Sequence, residues 1–250
     1  MMNVTETVKH LIIINIIFFI GTYLLGDVAY QYLSLYYPEN AKFQFWQPIT
    51  HMFMHGGLMH IFFNMFALFS FGSVLEQFWG SKKFLFFYIS CGLGAALLQV
   101  TVNYFTFHES IAVLVDNGFA KSDIIATLNH QGKLSPDWIP FLTPNGIENI
   151  KMSFGAPMVG ASGAIYGLLI AFAFMFPNAE LMMMFIPIPI KAKYFVPGII
   201  AVDLYSGFSG NSIFGGGSNV AHFAHIGGAI TGFIMMWYWK KNQFDNKRWN

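Results

Sequence analysis

The feature that most constrains this chain is a series of apolar runs, each near the length a helix needs to cross a bilayer. The runs fall at roughly residues 8–26, 52–75, 84–107, 158–176, 194–208 and 220–239. At about 1.5 Å rise per residue, some 20 residues cross the ~30 Å hydrocarbon core. In that core every backbone N–H and C=O must pair within the protein, so only helices and closed barrels span it. A barrel needs alternating segments of about ten residues, and these runs are continuous. Charged residues make up 10% of the chain, where a soluble domain carries about 25%. The pattern predicts an all-α membrane protein with six transmembrane helices, forming a single domain over 1–250. It excludes a disordered chain and nearly any soluble fold. A net charge of +1 offers no basic face, so no nucleic-acid partner is expected.

The fifth run is short, and the last three are interrupted by Gly and Pro, which suits helices packed on helices. Basic residues set the orientation. With the N-terminus inside, the inner segments hold Lys9, Lys82, Lys83, Lys191, Lys193, Lys240, Lys241, Lys247 and Arg248. The outer segments hold Lys42, Lys121, Lys133 and Lys151. Nine against four predicts cytoplasmic termini. Residue range 108–157 is the one long soluble stretch and reads as an external insertion between helices 3 and 4. Within it, 122–129 predicts a short amphipathic helix, and 137–141 predicts a segment at the membrane interface. The Gly/Ser-rich 209–219 predicts a mobile loop. The lone cysteine, Cys91, excludes an intrachain disulfide and a Cys-based metal site. The run at 11–25 does not read as a cleavable signal.

Polar groups at membrane depth are costly and mark function. Ser162 lies between Gly160 and Gly163, which let another backbone approach it. It also lies near a helix N-terminus, where free N–H groups favour developing negative charge. That suits an acyl-transfer nucleophile. The competing interpretation is a packing face, since Gly160, Gly163 and Gly167 recur at helical spacing. His222 and His225 open the sixth run, and a histidine can serve as base for a serine. Ser162 lies five residues past Pro157, and His225 five past Val220. Both therefore sit roughly 7–8 Å below their helix starts, at matching depth. His60 and Asn64, four apart, share one helical face and offer N–H donors suited to an oxyanion. His51 and His55 are also four apart, but no nearby Cys or carboxylate completes a metal site. His55 is expected to fix its loop by a hydrogen bond.

These residues resemble the motifs of the rhomboid proteases, a six-span family of intramembrane serine proteases. The family's G-x-S-G matches Gly160–Gly163, its H-x-x-x-N matches His60 and Asn64, and its A-H-x-x-G-x-x-x-G matches Ala224 through Gly232. The resemblance runs from about Phe45 to Trp239, apart from the insertion. It implies a six-helix rhomboid-like bundle with Ser162 as nucleophile and His225 as base, in a dyad without a carboxylate. His60, Asn64 and the Ser162 N–H would hold the oxyanion. Tyr166 would pack on the His225 ring. His225 is preferred to His222 because it fits the spacing to Gly228 and Gly232. Glu76 and Gly80 match a family pattern with a structural role. The chain departs from the family at Trp46-Gln47, where many members have Trp-Arg, so lipid contacts of that loop are expected to differ.

The implied activity is hydrolysis of peptide bonds in or beside transmembrane segments of membrane proteins. The partners are those substrates and the lipid bilayer, with no cofactor and no metal. A neutral His225 is required, so activity should fall at acid pH. The fifth span and 209–219 are candidates for a gate and lid. One alternative is a catalytically silent relative that binds membrane-protein clients, but such members typically lack the serine or histidine. Another is a proton path through His51, His55, His60 and Asp203, which leaves the glycines around Ser162 unexplained. Asp203 otherwise reads as a hydrogen-bonded packing residue or one near the membrane edge. The absence of a targeting segment predicts a bacterial cytoplasmic membrane.

Overall fold

The computed structural model describes residues 4–183, 186–209 and 221–243. Helix α1 covers Glu6–Leu25 and ends at Gly26, whose φ of 54° breaks the helix. The chain bends there into short α2, Asp27–Leu33, and later α3, Gln47–Thr50. Helix α4, Leu58–Ala67, runs through a π turn, Leu68–Gly72, into α5, Ser73–Trp79. Gly80, at φ 75°, separates α5 from α6, Ser81–Asp116. Then come α7, Lys121–Gln131, α8, Pro144–Ile150, and α9, Ser162–Met175. An antiparallel hairpin of β1, Glu180–Met183, and β2, Ile186–Lys191, precedes α10, Ala192–Ser209, and α11, His222–Gln243.

The protein is mostly helical. Among the described residues, three helices, α1, the α4–α5 pair and α6, are long and apolar enough to cross a membrane, and α9 is a shorter apolar helix. The outward faces of α1, α4 and α11 carry large apolar side chains such as Ile17, Phe62 and Phe233. In a bilayer these faces meet lipid, so their exposure is the expected state. The hairpin is a departure from an all-helical expectation. Its 186–190 segment alternates Ile and Pro, and Pro at alternate positions cannot continue a helix. Glu180 pairs across the hairpin with Lys191, an opposite-charge pair that favours this register.

Helices α6, α9 and α11 pack together at the centre, and glycines set their separation. A Cβ at Gly228 of α11 would lie 1.8 Å from the Gly163 carbonyl oxygen of α9. One at Gly232 would lie 2.8 Å from the Gly167 Cα. One at Gly227 would lie 2.6 Å from the Gly94 carbonyl oxygen of α6. The main apolar core lies around these helices and includes Leu68, Phe84, Tyr88, Leu168 and Trp239.

At one end of the bundle Glu76 gathers three helices. Its carboxylate accepts from Thr5 Oγ1 (2.5 Å), from the Thr7 and Val8 N–H groups (both 3.0 Å) and from Ser81 Oγ (2.6 Å). The two N–H groups belong to the first turn of α1 and have no partner within that helix.

Helix α6 has 36 residues and continues through Asp116, past the expected end near 107. At about 54 Å it exceeds the ~30 Å hydrocarbon core, so several turns project beyond it. Those turns join α7 and α8 in a second apolar cluster with Tyr37, Phe107, Leu114, Ile124, Trp138 and Phe154. The amphipathic helix expected at 122–129 is part of α7. The stretch at 137–141 is a 3-10 turn, Pro136–Phe141. Trp138 is only 4% exposed in the second cluster, so that ring is not available to the membrane interface, although Ile139 and Phe141 face outward. Loop residue 209 ends α10, and the rest of the 209–219 loop lies outside the described residues.

Candidate active site

Ser162 is the first residue of α9, not one and a half turns inside it. Ahead of it, Met158 forms an isolated antiparallel bridge with Leu35, and Ala161 bends into the helix. Met158 and Leu35 exchange backbone bonds of 2.8 and 3.0 Å, and the Gly160 N–H donates to the His51 carbonyl at 2.9 Å. His225 lies three residues, not five, past the start of α11. Neither helix begins where the residues Pro157 and Val220 had suggested. Extended chain advances about 3.3 Å per residue, so a short segment reaches as deep as a longer helical one.

The two side chains meet. His225 Nε2 lies 2.8 Å from Ser162 Oγ. Tyr166, one turn after Ser162 on the same face of α9, stacks on the His225 ring with centroids 4.3 Å apart and an 11° interplanar angle. The start of α11 is held from α6, where Gln99 Oε1 accepts from the Ala224 N–H at 3.2 Å.

A carboxylate stands on the far side of the imidazole. Asp203 Oδ1, on α10, is 3.2 Å from His225 Nδ1 and 2.5 Å from His222 Nδ1. Asp203 Oδ2 accepts from the Tyr166 hydroxyl. The resemblance implied a dyad with no such group. Asp203 was visible in the sequence as a carboxylate within an apolar run. Its partners lie 22, 19 and 37 residues away, and no helical spacing relates those positions.

Asn64, on α4, is buried, and its Nδ2 has no hydrogen-bond partner among the described residues. An unpaired buried donor is unusual, and a site awaiting a ligand oxygen accounts for one. His60 Nδ1 accepts from the Gly56 N–H at 3.3 Å, which leaves Nε2 to carry the proton. That Nε2 looks across Gly160. A Cβ there would lie 2.9 Å from His60 Nε2 and 3.5 Å from Ser162 Oγ. Gly160 also has φ 128°, a conformation L-residues rarely adopt. Its missing side chain thus opens the space between His60 and Ser162. Gly163 and Gly167 instead serve packing. A Cβ at Gly163 would meet the Ala95 Cβ at 2.4 Å, and one at Gly167 the Cys91 Sγ at 2.3 Å.

The His51 Nδ1–H donates to the Gln47 carbonyl at 2.9 Å, and burial lowers its pKa to about 4, so the ring is neutral. The His55 ring is buried beside His60. Neither ring nitrogen has a partner among the described residues, and the ring lies edge-on to His60 with centroids 4.9 Å apart. Gln47 is fully buried, not lipid-facing. Its side chain accepts from the Tyr36 N–H (3.2 Å) and donates to the Gln31 (3.1 Å) and Lys42 (2.9 Å) carbonyls. It braces the loop from within.

Comparison with known proteins identifies the family of the chain. The rhomboid domain model matches residues 42–115 and 126–242. Rhomboid protein 1, mitochondrial, of Saccharomyces cerevisiae is 24% identical over 189 residues, covering 76% of this chain and 40% of that protein. An uncharacterized mitochondrial rhomboid protein of Schizosaccharomyces pombe is 26% identical over 216 residues, covering 79% of this chain and 52% of the relative. The rhomboid protease GluP of Bacillus subtilis is 26% identical over 195 residues, covering 78% of this chain and 26% of that protein. The chain thus spans about half or less of the length of these relatives. With two of the three named mitochondrial, they do not support the expected bacterial cytoplasmic membrane. The domain match covers most of the chain, and the chain belongs to the rhomboid family.

Proposed function

We propose that this membrane protein is an intramembrane serine endopeptidase that hydrolyses peptide bonds in or beside transmembrane segments of other membrane proteins. The observation that carries this is the 2.8 Å approach of His225 Nε2 to Ser162 Oγ. The six spans are α1, α4–α5, α6, α9, α10 and α11, with both termini on one side, and 108–157 forms an external insertion in a single membrane domain.

Catalysis runs as acyl transfer. The Asp203 carboxylate accepts the Nδ1–H of His225 and leaves the Nε2 lone pair facing Ser162. His225 takes the hydroxyl proton as Ser162 attacks the scissile carbonyl. His60 Nε2–H, Asn64 Nδ2–H and the Ser162 N–H are the donors assigned to the negative charge that develops on the carbonyl oxygen. His225 returns its proton to the leaving amine, and water then hydrolyses the acyl-enzyme. A substrate helix must first unwind locally, because helical hydrogen bonds and side chains shield its backbone. Helix α10 packs on α9 and α11, and its displacement would admit such a substrate.

The test uses the purified chain in liposomes with a transmembrane substrate and a fluorophosphonate probe. Cleavage and labelling are expected from the wild type, and neither from Ser162→Ala. His225→Ala is expected to lose cleavage. Cleavage that survives Ser162→Ala would discard the assignment.

A further inference from the structure

His222 takes no part in the proposed chemistry, yet it points at the same oxygen as the catalytic base. It lies three residues before His225, so both rings leave one face of α11. The ligating atoms of Asp203, His222 and His225 all lie within 4.8 Å of one another. Asp203 Oδ1 is 2.5 Å from His222 Nδ1 and 3.2 Å from His225 Nδ1. The side chains are 14%, 14% and 8% exposed for His222, His225 and Asp203, so the cluster is shielded but not sealed.

We propose that Asp203, His222 and His225 form a binding site for a zinc-type divalent cation that silences the serine. Two imidazoles and one carboxylate, with a fourth position left for water, are a donor set that Zn²⁺ accepts. Mg²⁺ and Ca²⁺ prefer oxygen ligands and are poorly served. Ligands about 2.0–2.2 Å from a tetrahedral zinc stand about 3.3 Å from one another. The Asp203–His225 pair already has that spacing, the Asp203–His222 pair must open by less than about 1 Å, and the third pair lies within 4.8 Å.

The effect on chemistry follows from proton position. A metal on His225 Nδ1 takes that nitrogen's lone pair, so the ring proton moves to Nε2. Nε2–H then donates to Ser162 Oγ and has no lone pair to accept the hydroxyl proton. His222 shifts its proton to Nε2 in the same way, and Asp203 stays ionised. The ion exchanges water ligands for protein ligands, no covalent bond to protein forms, and a chelator reverses the state.

Cation binding needs only the geometry, whereas its effect on Ser162 rests on the proposed protease function, so the experiment separates them. Metal-stripped full chain in detergent is titrated with Co²⁺ on the Ser162→Ala background, and the visible d–d absorption is read. In parallel, micromolar Zn²⁺ is added to the Ser162 protein, and the rate of fluorophosphonate labelling is followed before and after chelator. An intense tetrahedral cobalt band and chelator-reversible loss of labelling are expected. His222→Ala and His222→Asn are expected to label without metal and to need about tenfold or more zinc for the same inhibition. Melting temperatures confirm that both variants fold. Equal zinc sensitivity in the wild type and both His222 variants would overturn the site, as would absence of the cobalt band. If metal-free protein never labels, the protease function fails, and the cobalt band alone decides the site.

Discussion

A carboxylate beside one nitrogen of an imidazole decides which nitrogen carries the proton. Asp203 holds that position towards His225. Its replacement by Asn presents an amide that can donate to Nδ1 and stabilise the wrong tautomer. Asp203→Asn is expected to slow Ser162 labelling by on the order of a hundredfold or more. Asp203→Glu should recover part of the rate. A merely structural role predicts a lowered melting temperature with kcat little changed, and that pattern would refute positioning. The residues proposed for the chemistry itself, Ser162, His225, His60 and Asn64, were legible because polar groups stand out in apolar runs and two of them share a helical face. Gly160 was legible only as a small residue. Its use depends on a positive φ outside the helix, which spacing does not encode. Gln47 was legible only as a departure from the Trp-Arg pattern, and nothing in the sequence showed the three backbone partners that bury it.

At the scale of elements, the α9–α11 seam carries the site, since Ser162 and His225 ride on its two helices. Gly228→Ala puts a methyl 1.8 Å from the Gly163 carbonyl, where backbone must move. The expected cost is about 1–3 kcal/mol or more, with loss of Ser162 labelling as the helices separate. Gly21→Ala, in α1 with nothing within 4 Å of the added carbon, is the control and should leave both unchanged. Melting in detergent and labelling rates check the pair, and equal behaviour would show that the seam tolerates widening. Most helices followed from apolar runs of the right length. Their ends did not, because apolar residues continue across the true boundaries. Residues 158–161 are apolar or small like the helix they precede. The 186–190 run is apolar too, and only its alternating prolines mark it as strand.

Across the whole molecule, two apolar cores sit along α6, one among the packed helices and one around its projecting turns. Composition announced the first, because lipid-length runs leave no other fold. The second was hidden, since Tyr37 and Trp138 reach it from segments 101 residues apart. The two ends of the bundle are held differently. At one end Glu76 joins α1, α5 and α6 by four hydrogen bonds, and Lys83 sits 4.0 Å over the Trp239 ring. At the other, α10 is joined to its neighbours' polar groups through Asp203. Local opening follows the weaker set of contacts. On heating, Ser162 labelling should therefore vanish at a lower temperature than the far-UV circular dichroism of the helices, and coincident midpoints would contradict this. Labelling would then be lost while the fold is still intact, so the effect of heat begins as a reversible loss of alignment and becomes damage only later.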